Sequence, residues 1–542
     1  MRRLALLSAG CLLALGASAD AAPPDAIRVG GPSAPADAKV AIVGSAQTLR
    51  ARAFTVVNSA GQVALRGKLA AAPGSPRPWR HAARADLSSL RTPGSYRVKV
   101  GSLTSATWVI RDGAASAGIT AILGFFNANS DGNEPSAEHA AAHLNDAIVA
   151  SGPHKGEHVD MTGGWMDAGD MLHFTQTTAY AAAALQASAR MDPADAPALD
   201  DAADVGVRWL VKAHPAPDLF IGQVGDTRDH DVGFRNPAGD DASKRAGIGT
   251  RMAYPNMGGD IGGKVAAALA LAADRADPAG RAALLTQARE WYAAGKASGK
   301  IAPKIGDFYV GDTAVDSLAA GAAALYRSTG EAAYAADAVR YLHEFDPDGR
   351  LEWNAMAAFA AADLCGGLGA PAAPDPVTRA AACDHLAAQA RAAARTARRS
   401  AFATPGDFTW GQTGENGGAG ALLALAGRAG VAPQGLAGAA AARDWLLGLN
   451  PWGASFVTGY GPHSPKHPHH WASIRGIGRP TGAVVGGPAP RKAILEQHVG
   501  TPNASVFNTA AATYEDRRAD YVTSEPAIDY AAGSILNLAA LR

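Results

Sequence analysis

Cysteine is scarce in this 542-residue chain, which has three in all: Cys11, Cys365 and Cys383. No C-x-x-C spacing occurs, so a zinc site built on cysteine is excluded. A surplus of charge is missing too, with 49 Lys+Arg against 49 Asp+Glu. Nucleic-acid binders and polybasic membrane-surface proteins both need excess Lys/Arg, so neither class fits. Beyond the N-terminus no run reaches about 18 uninterrupted apolar residues, and no membrane span is expected. The P-loop, G-x-S-x-G, H-E-x-x-H and the EF-hand loop are absent, and Gly476-Ile477-Gly478 runs into Arg479-Pro480 rather than a helix start. Nucleotide, hydride and serine-hydrolase chemistries therefore lose their usual support. What is present is 48% hydrophobic residues with only 18% charged, ample for a large core and below the roughly 25% charge of an average soluble domain. A neutral, well-packed protein acting on an uncharged partner is the expectation.

Arg2 and Arg3 precede an apolar stretch, Leu4 to Gly16, followed by Ala17-Ser18-Ala19-Asp20-Ala21. This is the order of a secretory signal peptide over residues 1–21, cleaved after Ala19 or Ala21, and it predicts a secreted or periplasmic protein. In such an oxidising compartment Cys365 and Cys383, 18 positions apart, either pair or remain two buried thiols.

Residues 25–112 carry short β-branched runs between turn residues, such as Val40–Val43, Phe54–Val57, Val63–Leu65, Tyr96–Val100 and Thr107–Ile110. This texture predicts a small immunoglobulin-like β-sandwich. Its aromatic residues Phe54, Trp79, Tyr96 and Trp108 read as core, so the domain is expected to be structural. From residue 115 to 542 the pattern turns Ala/Leu-rich at helical period, with about a dozen helices; His173–Met191, Lys264–Ala276, Gly118–Asn127, Glu138–Ala150 and Ala527–Leu541 are among them. Many such helices joined by long loops predict a mainly α fold, a large α-toroid, and the lack of strand/helix alternation excludes a parallel α/β sheet.

Three loop segments carry chemistry. Gly163-Gly164-Trp165-Met166-Asp167-Ala168-Gly169-Asp170 holds two aspartates three apart, suited either to deprotonating a water or to capping the helix that follows. The flanking glycines and Trp165 suggest room for a ligand and a flat surface against it. In Asp520-Tyr521-Val522-Thr523-Ser524-Glu525-Pro526, Pro526 fits the first position of the terminal helix and Glu525 its cap. The helix dipole there favours ionised Glu, so an acid role for Glu525 needs burial or a neighbouring carboxylate. The third segment runs from Leu447-Gly448-Leu449-Asn450-Pro451 to His467-Pro468-His469-His470-Trp471. Its Pro-broken histidines suit hydrogen bonds to sugar hydroxyls, or a rigid loop, better than a metal.

Taken together, G-G-W-x-D-A-G-D at 163–170, L-G-x-N-P at 447–451, F-V-T-G-x-G at 456–461, P-H-H at 468–470 and D-Y-V-x-x-E-x-A-I-D-Y at 520–530 resemble the family 9 glycoside hydrolases, the cellulase family, in the subgroup with an N-terminal immunoglobulin-like domain. The likeness spans roughly 118–533. It implies an (α/α)6 barrel that hydrolyses β-1,4-glycosidic bonds with inversion, most simply as an endo-1,4-β-glucanase on cellulose or a related glucan. Exo-action on cello- or amino-sugar oligosaccharides, or a non-catalytic glycan-binding role, stay open as alternatives. The resemblance makes Asp170 the general base, Asp167 its helper in orienting water, and Glu525 the general acid. It makes His469 and His230 substrate contacts, with Trp165, Trp410, Tyr460, Trp471 and Tyr521 as further candidates for contacting sugar. Inversion requires two carboxyl groups roughly 6.5–9.5 Å apart. Trp471 stands where the family usually has an arginine, and Lys264 where it often has a glutamate near a calcium site. Structural calcium at Asp260 and Asp316 is therefore a weak expectation, and no cofactor is required. The expected partner is a poly- or oligosaccharide met by a monomer.

Overall fold

The structure is a computed structural model that describes residues 23–306, 308–369, 374–404, 408–502 and 505–542. The expected signal peptide and Cys11 lie outside the described residues.

The N-terminal domain is a two-sheet sandwich. One sheet pairs Ala26–Val29, Val40–Ser45, His81–Asp86 and Ala70–Ala71 in that order; the other pairs Val63–Lys68, Ala53–Asn58, Gly94–Val100 and Leu103–Thr104, with Trp108–Ile110 also on Gly94–Val100. Alternation along Gly94–Val100 sends Tyr96, Val98 and Val100 inward, where they meet Phe54, Val56 and Trp108. The strand His81–Asp86 escapes the sequence pattern because HAARAD contains no β-branched residue. Trp79 is buried as expected, but against the barrel: its ring lies 5.9 Å from Phe402 and 5.6 Å from Phe507. Arg443 joins the domains by donating to Asp37 and Asp444, and Arg28 Nε donates to the Pro451 carbonyl at 3.0 Å. The L-G-x-N-P motif thus docks the sandwich.

Among the described residues twelve long helices build the barrel: α1 Ala114–Ala128, α2 Thr175–Met191, α3 Ala196–Lys212, α4 Gly259–Ala273, α5 Pro278–Ser298, α6 Val315–Thr329, α7 Ala332–Glu344, α8 Ala357–Cys365, α9 Pro376–Ala397, α10 Gln412–Arg428, α11 Gly435–Leu446 and α12 Ile528–Ala540. Six form an inner ring in the order α2, α4, α6, α8, α10, α12, with α12 closing back on α2. Inner helices are buried along nearly their whole length, while outer ones such as α5 and α7 keep a polar face. Alanine and glycine let these helices approach closely: a Cβ on Gly263 would sit 2.2 Å from the Ser317 carbonyl oxygen.

Two helix expectations change. Residues 138–150 are loop ending in the strand Ile148–Val149, because Asp146 is drawn into ion pairing with buried Arg251. In its place α8 completes the dozen; its AAFAAADLC is buried all round, with Asp363 its one charged residue, and so has no amphipathic signature. Cys365, at the end of α8, is disulfide-bonded to Cys383 on α9.

Candidate active site

The three carboxylates singled out in the sequence converge on one cleft of ≈780 Å³ at the end of the barrel, lined among others by Asp167, Asp170, Glu525, His230, His469 and Trp410. A larger cavity, ≈890 Å³ at the seam of sandwich and barrel, is lined by alanine more than by any other residue, with Arg84, Arg391, Arg395 and Arg398 on its wall. Its carboxylate Asp444 is already paired with Arg443, so it offers no comparable chemistry.

Neither catalytic candidate is the N-cap of the helix that follows it. The chain after Asp170 first forms the short strand His173–Phe174, which pairs with Val224 and Gln223, and α2 begins only at Thr175. Asp170 Oδ1 instead accepts from the Leu172 N–H at 3.2 Å, a local turn that leaves Oδ2 facing the cleft 3.9 Å from His230 Nε2. Glu525 follows the single turn Tyr521–Ser524, which Asp520 caps by accepting from Thr523 N–H at 3.2 Å. The terminal helix starts at Ile528 with Ala527 as its cap. Glu525 therefore sits in extended backbone, and the dipole expected to keep it ionised does not act on it as a cap would.

Electrostatics separate the three groups. Burial, and then the negative charge of Asp170, push Glu525 well above the usual carboxylate range; the Gly169 N–H, donating to Oε1 at 3.3 Å, opposes this only in part. Burial raises Asp170 too, with Asp229 adding to it; His230, the Leu172 N–H and Arg251 offset this only in part, so Asp170 stays above its ordinary value. Burial lifts Asp167 to about 7 against the hydrogen bonds it accepts from Thr177 and Tyr309. Tyr309 donates to Asp167 Oδ2 at 2.5 Å and Thr177 to Oδ1. With its Leu172 and Ile528 backbone bonds, Asp167 is fixed on every side.

The remaining candidates divide. His230 is half-exposed, its ring 5.4 Å from Phe308. His469 Nδ1–H donates to the Arg518 carbonyl at 2.5 Å, and burial lowers the ring to about 4, so Nε2 is an acceptor at neutral pH. Trp410, 43% exposed, and Tyr521 stand 5.6 Å apart at the cleft mouth. Trp165, Trp471 and Tyr460 are corrections. Trp165 is 1% exposed, with its ring edge-on to Phe126 and packed on Gly206, so the sugar platform expected there is core. The flanking glycines serve the backbone: Gly164 has φ +76°, and a Cβ there would fall 2.6 Å from Trp209. Trp471 is 0% exposed, among Met166, Met171 and Ala472. Tyr460 ties α1 to the third segment, donating to the Ala114 carbonyl at 3.1 Å, outside the cleft. Tyr309 and Trp353, whose rings meet edge-on at 5.0 Å, line the cleft unanticipated. Both lie in irregular loops, where no periodicity marks them.

The donor set around Asp260 and Asp316 does not fit calcium. Asp260 Oδ1 accepts from Ala302 N–H at 2.7 Å, Asp316 Oδ2 from Met356 N–H at 2.7 Å, and the fully buried Lys264 ammonium lies between them, donating to the Asp260 carbonyl at 2.9 Å. Burial lowers the proton affinity of Lys264 while Asp316 and Asp260 raise it, and the charge it keeps repels a second cation. No group of three His, Cys, Asp or Glu among the described residues is placed to hold a metal.

Comparison with known proteins agrees with this geometry. The model for glycosyl hydrolase family 9 matches residues 117–538, and that for the cellulase N-terminal ig-like domain matches 34–105. Endoglucanase A of Bacillus pumilus is 29% identical over 423 residues, covering 70% of this chain but only 59% of that protein's length. Endoglucanase 14 of Arabidopsis thaliana is 28% identical over 472 residues, 78% of this chain and 92% of that protein. A thermostable endoglucanase from Alicyclobacillus acidocaldarius superposes with TM-score 0.79 at 25% identity, covering 96% of this chain and 99% of that one. A metagenome-derived family 9 endoglucanase gives 0.79 at 26%, covering 95% and 99%.

Proposed function

Because the chain belongs to glycosyl hydrolase family 9, we propose that this glycoside hydrolase is an inverting endo-1,4-β-glucanase in which Glu525 is the general acid and Asp170 the general base. One observation carries the assignment: two carboxyl groups share a cleft, and burial with the charge of Asp170 pushes Glu525 well up, while His230, the Leu172 N–H and Arg251 partly hold Asp170 down. Glu525, buried and beside a negative neighbour, keeps its proton and gives it to the departing glycosidic oxygen. Asp170, favoured as an anion by His230 and with Oδ2 free of backbone donors, takes the proton from a water that attacks the anomeric carbon from the opposite face. The product carries the inverted hydroxyl, and the two carboxyls re-equilibrate their protons through solvent. Asp167 supports this by fixing the loop that carries Asp170, its own carboxyl pinned by Thr177 and Tyr309. His469 Nε2 suits a sugar hydroxyl donor, and Trp410 with Tyr521 suits the apolar face of a pyranose.

The sandwich is the barrel's structural partner, and the enzyme is a secreted or periplasmic monomer. Its N-terminal sequence pattern and the Cys365–Cys383 bond favour an oxidising compartment. Glu525→Gln and Asp170→Asn on cello-oligosaccharides test the assignment. Each should lower kcat by about 10² or more, proton NMR should show the α-anomer first, and internal cleavage should precede single-sugar release. Near-wild-type turnover by either variant, or initial β-anomer, overturns it.

A further inference from the structure

Trp471 was the unexplained departure in the sequence, and its surroundings give it a different task from binding sugar. The three residues 469–471 lie between the two loops that carry the base and the acid. At one end the His469 N–H donates to the Ser524 carbonyl at 2.9 Å, one residue before Glu525. At the other the Trp471 N–H donates to the Gly169 carbonyl at 2.9 Å, one residue before Asp170. Gly169 closes the triangle by donating its own N–H to Glu525 Oε1 at 3.3 Å. A Cβ on Gly169 would stand 2.1 Å from the His469 carbonyl oxygen, so no slack separates this strap from the base loop.

The strap is anchored by side chains from behind. The indole of Trp471 fills a closed apolar pocket with Met166 and Met171, which bracket the two aspartates in sequence, and meets His139 edge-on at 5.5 Å. His470, held neutral by burial at about 3, accepts from the Ala472 N–H with Nδ1 and donates through Nε2 to Asn129 Oδ1 at 2.9 Å. Asn129 in turn donates to the Met166 and Ala168 carbonyls, each at 2.9 Å. The indole N–H of Trp471 has no acceptor among the described residues, so the ring is present for its shape.

We propose that Trp471 is a positioning residue: its buried ring fixes the 469–471 strap that sets the spacing between Asp170 and Glu525. The proposal rests on the reading of those two carboxyls as base and acid. Misplacing a catalytic group by about 1 Å costs on the order of 10²-fold in rate, so a smaller ring that lets the strap settle should be felt in kcat. It should also be felt in the pH profile. The groups facing Glu525 are Asp170 and Asp167 on the base loop, Tyr530 on α12 and Tyr521 on its own segment. A looser spacing weakens the hold of Asp170 on Glu525, and the basic limb of activity moves to lower pH.

The test is Trp471→Phe, assayed on soluble cello-oligosaccharide across pH, with circular dichroism melting on the same preparation. The expected result is a folded protein whose kcat falls about 10-fold or more, whose KM stays within about two-fold, and whose basic limb shifts acidward. Wild-type kcat and an unmoved profile overturn the proposal, as does a loss confined to KM. If Trp471→Phe does not fold, Gly169→Ala presses on the same strap from the other side with Trp471 in place. It carries the same expected pattern, and wild-type kinetics from it overturn the proposal equally. Glu525→Gln and Asp170→Asn in the same assay keep the two readings apart. Activity in those variants removes the acid–base assignment, whereas their inactivity beside an unaffected Trp471→Phe removes the strap alone.

Discussion

Replacing Arg251 by methionine should unbalance a buried charge network directly beneath the cleft. Its guanidinium donates to Asp146 Oδ2 from Nε at 2.8 Å and lies 2.6 Å from it through NH2, with Asp229 at 3.3 Å and Asp131 at 3.4 Å; it also donates to the Met171 carbonyl. The arginine and these three aspartates are all almost completely buried. Removing one partner of a buried pair strands the other charge and costs about 3–5 kcal/mol. Unfolding entropy near 2.1 cal/mol/K per residue amounts to roughly 0.9 kcal/mol/K for a barrel of this size, so the melting midpoint should fall by about 3–6 °C. Activity should fall as well, since Met171 follows Asp170 and Asp229 precedes His230. Denaturant and thermal unfolding measure the loss. Adding Asp146→Asn removes one stranded charge, so the double variant should recover part of it, with a coupling of about 0.5–3 kcal/mol. A single variant within 1 kcal/mol of wild type, additive with Asp146→Asn, would refute the reasoning.

His143 stands between Asp131 at 2.7 Å and Asp240 at 3.1 Å. Burial and Arg251 push its charge away, but the two carboxylates outweigh them and hold it at about 9. Its folded value lies above the ordinary one near 6.5, so its stabilisation is complete below about pH 6.5 and disappears as pH rises through about 9; His143→Gln should flatten that decline in a pH series of unfolding midpoints. His230→Ala should move the acid limb of kcat/KM to higher pH, because the imidazole that lowers Asp170 is gone; an unmoved limb rejects that role. Trp410→Ala should raise KM by about 2–10-fold through loss of a stacking surface worth about 0.5–1.5 kcal/mol, while Trp165→Ala should cost about 3–5 kcal/mol of stability. Should Trp165→Ala raise KM alone, the burial of that ring has been misread. Cys365→Ser should lower stability by about 3 kcal/mol, the value for a closed loop of this length, and an unchanged denaturation midpoint opposes it.

Local chemistry was enough for much of this protein. Alanine-rich helical periodicity announced a large helical barrel, and short β-branched runs announced the sandwich, because a helix face and a strand face are written in consecutive residues. Asp167, Asp170 and Glu525 stood out for a similar reason: each lies in a short segment whose composition is unusual by itself. Three things needed the folded chain. Which aromatics meet sugar depends on what covers them: Trp165 lies beside Asp167 and Trp471 beside His469 in sequence yet both are core, while Tyr309 and Trp353, unremarked in their loops, line the cleft. The helix over 138–150 failed because Asp146 pairs with Arg251, 105 positions away, a contact no local pattern contains. The proton affinity of Glu525 is likewise a property of place. Sequence put it at a helix cap that favours the anion, but burial and the charge of Asp170, from a segment 355 positions earlier, decide in favour of the acid. Residue types fix what chemistry is available, and only the closed ring of helices brings those loops to one end and removes the water that would have kept both carboxyls ordinary.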